Sequence, residues 1–315
     1  MPLTPAPLFT DIRPGPSTGA AYWADTTDGL RIRLGAWPMD SARGTVLLFP
    51  GRTEYIEKYG QAAGEFAARG LATMTIDWRG QGLADRMLDD PIIGHVDQFQ
   101  DYQKDVSAML RAARALNLPR PYFLVAHSMG GCIGLRAAME GIPVQAVAFT
   151  GPMWGIRIAN RLRPAAWSLS NIMPMIGKGH LNPPGTKVEP YVLSDPFKDN
   201  MLTTDASMHA MMRDQTLAHP GLALAAPSYV WLREAISETK HLASRSAPNL
   251  RCVTYLGTNE RIVHIPRIRE RMKSWKGGRL EMIEGGEHEV MMEQPHIRTP
   301  IFDDMAKLFF STTGS

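Results

Sequence analysis

The sequence predicts an α/β fold, with a mostly parallel central sheet flanked by helices on both faces and one helical insertion. Three observations carry that expectation. Short apolar runs suited to buried strands alternate with segments of helical spacing, over residues 30–149 and again over 251–310. Such alternation marks parallel strands joined by helical crossovers. Between the two blocks, residues 152–240 hold many prolines, scattered methionines and broken helical patterns without a clear strand. Finally, 315 residues are enough to bury about 75% of the extended chain's surface in a full core. The expected division is an irregular lead-in at 1–28, a core built from 29–151 and 241–315, and a helical insertion at 152–240.

The elements follow in order. Pro, Gly and Thr dominate 1–28 and predict an irregular start. Leu30, Ile32 and Leu34 alternate with Arg31, Arg33 and Gly35, the pattern of a half-buried strand. Residues 44–49 form an apolar run closed by Pro50-Gly51, a buried strand. Helical spacing runs from Tyr55 to Arg69 through Tyr59, Ala62, Ala63 and Phe66, with Gly70 at the C-terminal cap. Residues 71–76 are the next strand, and Asp77-Trp78-Arg79-Gly80-Gln81-Gly82 a loop. Phe99, Tyr102, Val106, Met109, Leu110 and Ala113 share one side of a helix over 97–116, stopped by Pro119 and Pro121. Then come a strand at 122–126, a helix at 129–140 ended by Gly141, and a strand at 144–149. Beyond the insertion the expected order is a strand at 251–256, a helix at 265–275, a strand at 279–283 and a last helix at 299–310.

Composition removes several function classes. Lys and Arg number 34 against 31 for Asp and Glu, a net +3. That balance gives no basic stripe for a nucleic acid. Cys132 and Cys252 are too few for a disulfide scaffold and read as reduced core residues. No apolar run is long enough to span a membrane. The start, Met1-Pro2-Leu3-Thr4-Pro5, lacks the charged and apolar regions of a signal peptide. The expected location is the cytoplasm, with peripheral contact at the inner membrane face left open.

A literal G-x-S-x-G match, Gly15-Pro16-Ser17-Thr18-Gly19, has no strand before it and no helix after it. Nucleophile elbows need both, because the turn must thrust the serine out above the sheet. Ala126-His127-Ser128-Met129-Gly130-Gly131 departs from the letters but has that context. Tyr122-Phe123-Leu124-Val125 leads in as a strand and a helix leads out from Met129. Small residues are needed where strand and helix pass closely, and alanine adds only a methyl group. Ser128 is therefore the candidate nucleophile.

A nucleophilic serine needs a base and a group that orients the base. In elbow hydrolases these follow in chain order as an acid and then a histidine, each after a later strand. Strand 251–256 runs into Gly257-Thr258-Asn259-Glu260, and strand 279–283 into Glu284-Gly285-Gly286-Glu287-His288-Glu289. Both turns lie at the carboxyl edge, where open α/β sheets carry their sites. His288 is the candidate base and Glu260 the orienting acid, with Glu284, Glu287 and Glu289 as competitors. His288-Glu289 opens like a zinc motif, but the second histidine would fall at Met292. Neither metal nor cofactor is called for.

Taken together, these residues resemble the α/β-hydrolase superfamily, and within it the monoacylglycerol lipase/lysophospholipase group, including lysophospholipase L2-like proteins. Phe49-Pro50-Gly51-Arg52-Thr53-Glu54-Tyr55 with Tyr59 resembles the group's H-G-x-x-E-H…Y loop. Asp77 to Asp85 resembles its D-x-R-G-x-G-x-S turn, and 127–131 its elbow. Gly257–Val263 and Gly285–His288 resemble its acid and histidine loops. Pro50, Tyr55 and Glu260 stand where the group usually has His, His and Asp. The resemblance implies a helical cap at 152–240 and an oxyanion hole from the backbone N–H groups of Arg52 and Met129. It implies a serine hydrolase that cleaves esters of single-chain lipids, a lysophospholipase or monoacylglycerol lipase, with a lipid-like ester as its partner. An esterase or lactonase acting on a small substrate stays open, as does a non-catalytic binding protein on the same fold. The Arg52 side chain reads as solvated, with a phosphate head group as its other open role. Ile156, Ile158, Leu162, Trp167, Ile172, Met173, Met175 and Ile176 are candidates for lining an acyl channel or for ordinary packing.

Overall fold

A computed structural model describes residues 3–12 and 15–311. Among the described residues, nine strands form one sheet. They are β1 (Thr4–Ala6), β2 (Ala20–Asp25), β3 (Arg31–Trp37), β4 (Thr45–Phe49), β5 (Ala72–Asp77), β6 (Tyr122–His127), β7 (Ala146–Thr150), β8 (Arg251–Gly257) and β9 (Gly278–Ile283). The spatial order is β1-β2-β3-β5-β4-β6-β7-β8-β9. β1, β2 and β3 join antiparallel, β3 meets β5 antiparallel, and every later neighbour is parallel.

Parallel strands are covered on both faces, so their residues must be apolar on both. β4 shows this residue by residue. Leu47 and Phe49 enter the core on one face, while Val46 and Leu48 enter the core on the other. The first face is packed by α2 (Tyr102–Ala115), α3 (Ser128–Met139) and α8 (Ile265–Ser274); the second by α1 (Gly60–Ala67) and α9 (Pro295–Phe310). Phe123 of β6 stacks on Phe309 of α9 at 4.6 Å.

Between β7 and β8 lie α4 (Arg163–Met175), α5 (Tyr191–Ser194), α6 (Ala206–Ala218) and α7 (Tyr229–Ser244). Two of these begin at sequence-encoded caps. The Asp205 side chain accepts from the N–H groups of Ser207 and Met208, and Ser228 accepts from that of Trp231. Such caps stabilise a helix by ~1 kcal/mol.

The strand expected to be half-buried, β3, is buried at every residue after Arg31, because Arg33 is neutralised inside by Glu57 and Asp77. The structure differs from expectation at three further places. The stretch 1–28 is not wholly irregular, since β1 and β2 fall within it. β2 gains its hydrogen bonds from β3 across a full register, a tertiary contact that local composition does not report. Pro5 fits because β1 is an edge strand. The helix expected from Tyr55 opens instead as a 3₁₀ turn at Ile56–Tyr59, with α1 following. The last helix starts at Pro295 and not at 299, because proline is well placed in a first turn.

Candidate active site

β6 ends at His127 in extended conformation, and α3 begins at the next residue. Ser128 makes the turn at φ +50°. A residue with a Cβ held in the left-handed region stores about 1–3 kcal/mol, and such strain clusters at functional sites. The turn is possible because its neighbours are small. A Cβ on Gly130 would stand 2.2 Å from the Phe49 carbonyl oxygen and 2.4 Å from that of Pro50. This close approach brings the loop after β4 against the first turn of α3. Ala126 is tolerated in place of glycine because Gly134 lies opposite its methyl group. Ser17, by contrast, sits in a turn that runs into a strand, not a helix.

The loops after β8 and β9 are laced together by backbone bonds, Thr258 N–H to Ile283 O and Asn259 N–H to Gly286 O. This lacing delivers Glu260 to His288. Nδ1 of His288 lies 2.6 Å from Oε2 of Glu260, and both side chains are buried. The other carboxylate oxygen accepts from the N–H groups of Ile262 and Val263 at 2.6 and 3.1 Å. Burial pushes the Glu260 carboxyl up, but the His288 charge and these hydrogen bonds outweigh it, leaving the group below its ordinary range. Gly151 keeps the space clear; a Cβ there would meet His288 Nδ1 at 2.9 Å. The competing acids are engaged elsewhere or free of the imidazole. Glu284 is exposed, Glu287 pairs with Arg261 at 3.1 Å, and Glu289 bonds Lys58 at 2.6 Å.

Ser128 and His288 border one cavity of about 650 Å³, together with Arg52, Met153, Ile156, Met212, Leu224, Trp231 and Val263. A larger, more open cleft of about 1190 Å³ lies beyond Glu260 and is polar at its rim, but Ser128 does not border it. Met129 N–H belongs to the first turn of α3, where amides have no partner within the helix.

Beneath this pair lies a buried charged cluster that motif spacing alone did not reveal. Lys58 Nζ bridges Oε1 of Glu54 and Oε1 of Glu289, and Tyr59 OH donates to Glu54. His127 Nε2 lies 3.3 Å from Glu289 and 3.6 Å from Glu54, within charge-contact range. Its ring stands 4.7 Å from that of His288, so the cluster props the imidazole beside the elbow. Burial opposes every charge here. Even so, the carboxylates hold Lys58 and His127 above their ordinary values, and the cations hold Glu289 well below its own. Glu54, His127 and Glu289 have the atoms of a metal site, but the Lys58 ammonium bridges both carboxylates. The i,i+4 spacing of Glu54 and Lys58 was the available sequence signal.

Two expectations are corrected. The Arg52 side chain is not freely solvated: the residue is half-buried, its Nε is sealed from solvent, and its guanidinium sits 5.3 Å from the Trp231 ring centre. Of the eight residues weighed for the acyl channel, Ile156 borders the cavity, whereas Leu162, Trp167, Ile172, Met175 and Ile176 are exposed. Helical spacing finds an apolar face but not which way it looks.

A serine on a strand–turn–helix elbow, with a histidine–carboxylate pair from two later strand ends, places the chain among the α/β-hydrolases. The chain belongs to the Hydrolase_4 family, described as serine aminopeptidase, S33, which matches residues 40–295. It is 28% identical to lysophospholipase L2 of Escherichia coli strain K12 over 283 residues, 86% of this chain and 82% of the relative. It is 29% identical to monoglyceride lipase of Saccharomyces cerevisiae over 118 residues, 36% of this chain and 37% of the relative. The crystal structure of a soluble variant of the yeast lipase superposes with a TM-score of 0.71 at 18% identity, covering 93% and 94% of the two chains. A carboxyl esterase from Bacillus coagulans gives 0.72 at 15% identity, covering 94% and 99%. At these identities the superpositions show the fold. The chain is an ester hydrolase of this class. Among the described residues no helix is long and apolar enough to cross a membrane.

Proposed function

We propose that this chain hydrolyses the carboxylic ester of a single-chain lipid, a lysophospholipid or monoacylglycerol, through Ser128, His288 and Glu260. The observation that carries the chemistry is the buried 2.6 Å contact of His288 with Glu260, in a cavity that Ser128 shares. In this reading Ser128 Oγ attacks the ester carbonyl carbon while His288 Nε2 takes its proton. Glu260 holds the imidazole tautomer and stabilises the imidazolium. The N–H groups of Arg52 and Met129 receive the negative oxygen, a contribution of about 3–4 kcal/mol per donor. His288 returns the proton to the departing glycerol oxygen, leaving an acyl-serine. A water, deprotonated by His288, then attacks the acyl carbon; the bond to Ser128 Oγ breaks, His288 returns the proton to Oγ, and the fatty acid leaves.

The largely apolar wall of the cavity and the likeness to lysophospholipase L2 support a lipid substrate. The insertion at 152–240 acts as the cap over this cavity. Its stretch 152–188 carries five cations and no acid, and it exposes the apolar residues of α4, Met175 to 84%. Both features support peripheral contact of a cytoplasmic enzyme with an anionic membrane face. The test is a panel of lysophospholipids and monoacylglycerols with mass detection of released fatty acid. Ser128→Ala should lose essentially all turnover and all labelling by a fluorophosphonate, with an unchanged melting temperature. Substantial remaining turnover would falsify the assignment.

A further inference from the structure

Arg52 carries a charge that the proposed reaction does not use. Other arginines drawn into the protein reach several acceptors each. Arg33 closes on Glu57 and Asp77, Arg79 on Asp105 and Asp28, and Arg136 on Glu238 and Glu140. Arg86 reaches the carbonyls of Gly80, Gly82, Gly221 and Ala223, and Arg271 those of Leu242 and Arg245. Arg52 has one acceptor among the described residues, the Ala225 carbonyl, and its Nε has none. No carboxylate offsets its burial, which pulls its pKa down to about 10. It nevertheless borders the cavity that holds Ser128 and His288. The absent side chain of Gly94 leaves the space beside Nη2 open, since a Cβ there would stand 3.2 Å away.

We infer that the Arg52 guanidinium binds the phosphate of the substrate's head group, which makes a phosphate-bearing lysolipid the preferred ester. This rests on the reaction proposed above. There the backbone N–H of Arg52 holds the ester carbonyl oxygen. Its guanidinium lies farther along the same cavity wall, beside Ala225, Trp231 and Gly94, on the side where a head group beyond the ester would lie. A guanidinium presents forked donors suited to phosphate oxygens, and a charge-assisted, two-pronged pairing is stronger than a neutral hydrogen bond. A neutral monoacylglycerol leaves the charge unmatched.

The experiment compares wild type, Arg52→Gln and Arg52→Lys on lysophosphatidylglycerol and on the monoacylglycerol of the same chain. The readout is the ratio of the two kcat/KM values, with melting temperatures alongside. The ratio should fall by about 10- to 100-fold in Arg52→Gln, mainly through KM for the phosphate lipid, and by less in Arg52→Lys. Equal losses on both lipids would reduce Arg52 to a fastener of the Ala225 segment and overturn the inference. A second arm uses sn-glycerol 3-phosphate against hydrolysis of p-nitrophenyl butyrate, which needs no lipid. Wild type should be inhibited and Arg52→Gln much less so; equal inhibition would place the anion elsewhere. Loss of all lipid turnover in an enzyme that still cleaves the p-nitrophenyl ester would instead sink the lipid reading.

Discussion

Glu260 illustrates how one extra methylene is absorbed. Its first oxygen is pinned by the amides of Ile262 and Val263, which leaves the second for His288. Glu260→Gln keeps the shape but favours the wrong imidazole tautomer, so kcat should drop by about 10⁴-fold, as the corresponding Asp→Asn change does in serine proteases. Glu284→Gln, at an exposed position, should leave kcat within twofold or so by the usual behaviour of surface substitutions. A reversed outcome would reassign the acid. Because the Glu260 carboxyl sits below its ordinary value of 4.5, its ionised form contributes stability above that pH. The contribution fades as pH falls from 4.5 through the lowered value. Chain order and strand ends were enough to single out Ser128, Glu260 and His288, which the structure brings to one region, His288 on Glu260 and Ser128 on the cavity that His288 borders. The environment of Arg52 was not legible in that way, because burial depends on Trp231 and Ala225, some 175 residues further along the chain.

At the level of elements, the elbow depends on how closely two backbones pass. Gly130→Ala would drive a methyl group into the Phe49 and Pro50 carbonyls and separate α3 from the loop that carries Arg52. If that loop supplies an oxyanion donor, kcat should fall by about 10²–10³-fold, while fluorophosphonate still labels Ser128 slowly. Unchanged kcat would mean the two elements need not touch. The inner strands of the parallel region were readable because each is buried on both faces and bounded by turn residues; β9, at the edge, carries Arg279 and Glu281 and is only partly buried. β1 and β2 were not readable, because tertiary pairing creates them, β2 on β3 and β1 on β2, and Pro and Gly mask them. Tyr55, standing where a histidine was expected, joins elements instead. Its hydroxyl meets Gln215 of α6 at 3.1 Å and clasps the first loop to the insertion.

For the whole molecule, the sheet places the elbow and the residues of the insertion form much of the wall of the cavity beside it. The insertion was legible as helical, since prolines and broken periodicity excluded strands there. Its orientation was not, for an apolar stripe reads the same facing a core, a cavity or solvent. Ile156 is the residue of that group that borders the cavity. Wild type should prefer long-chain p-nitrophenyl esters, and Ile156→Trp should move the optimum to shorter chains. An unmoved optimum would put the acyl chain elsewhere.

The Lys58 ammonium keeps two carboxylates and an imidazole from becoming a chelate. Lys58→Ala would evict that internal counterion and strand both carboxylates, so the variant should melt well below wild type. Millimolar zinc should then restore much of the loss by filling the vacated place, and EDTA should take it away again. Wild type should respond to neither. The same three ligand groups would thus have been converted from a scaffold under the histidine into an artificial metal trap.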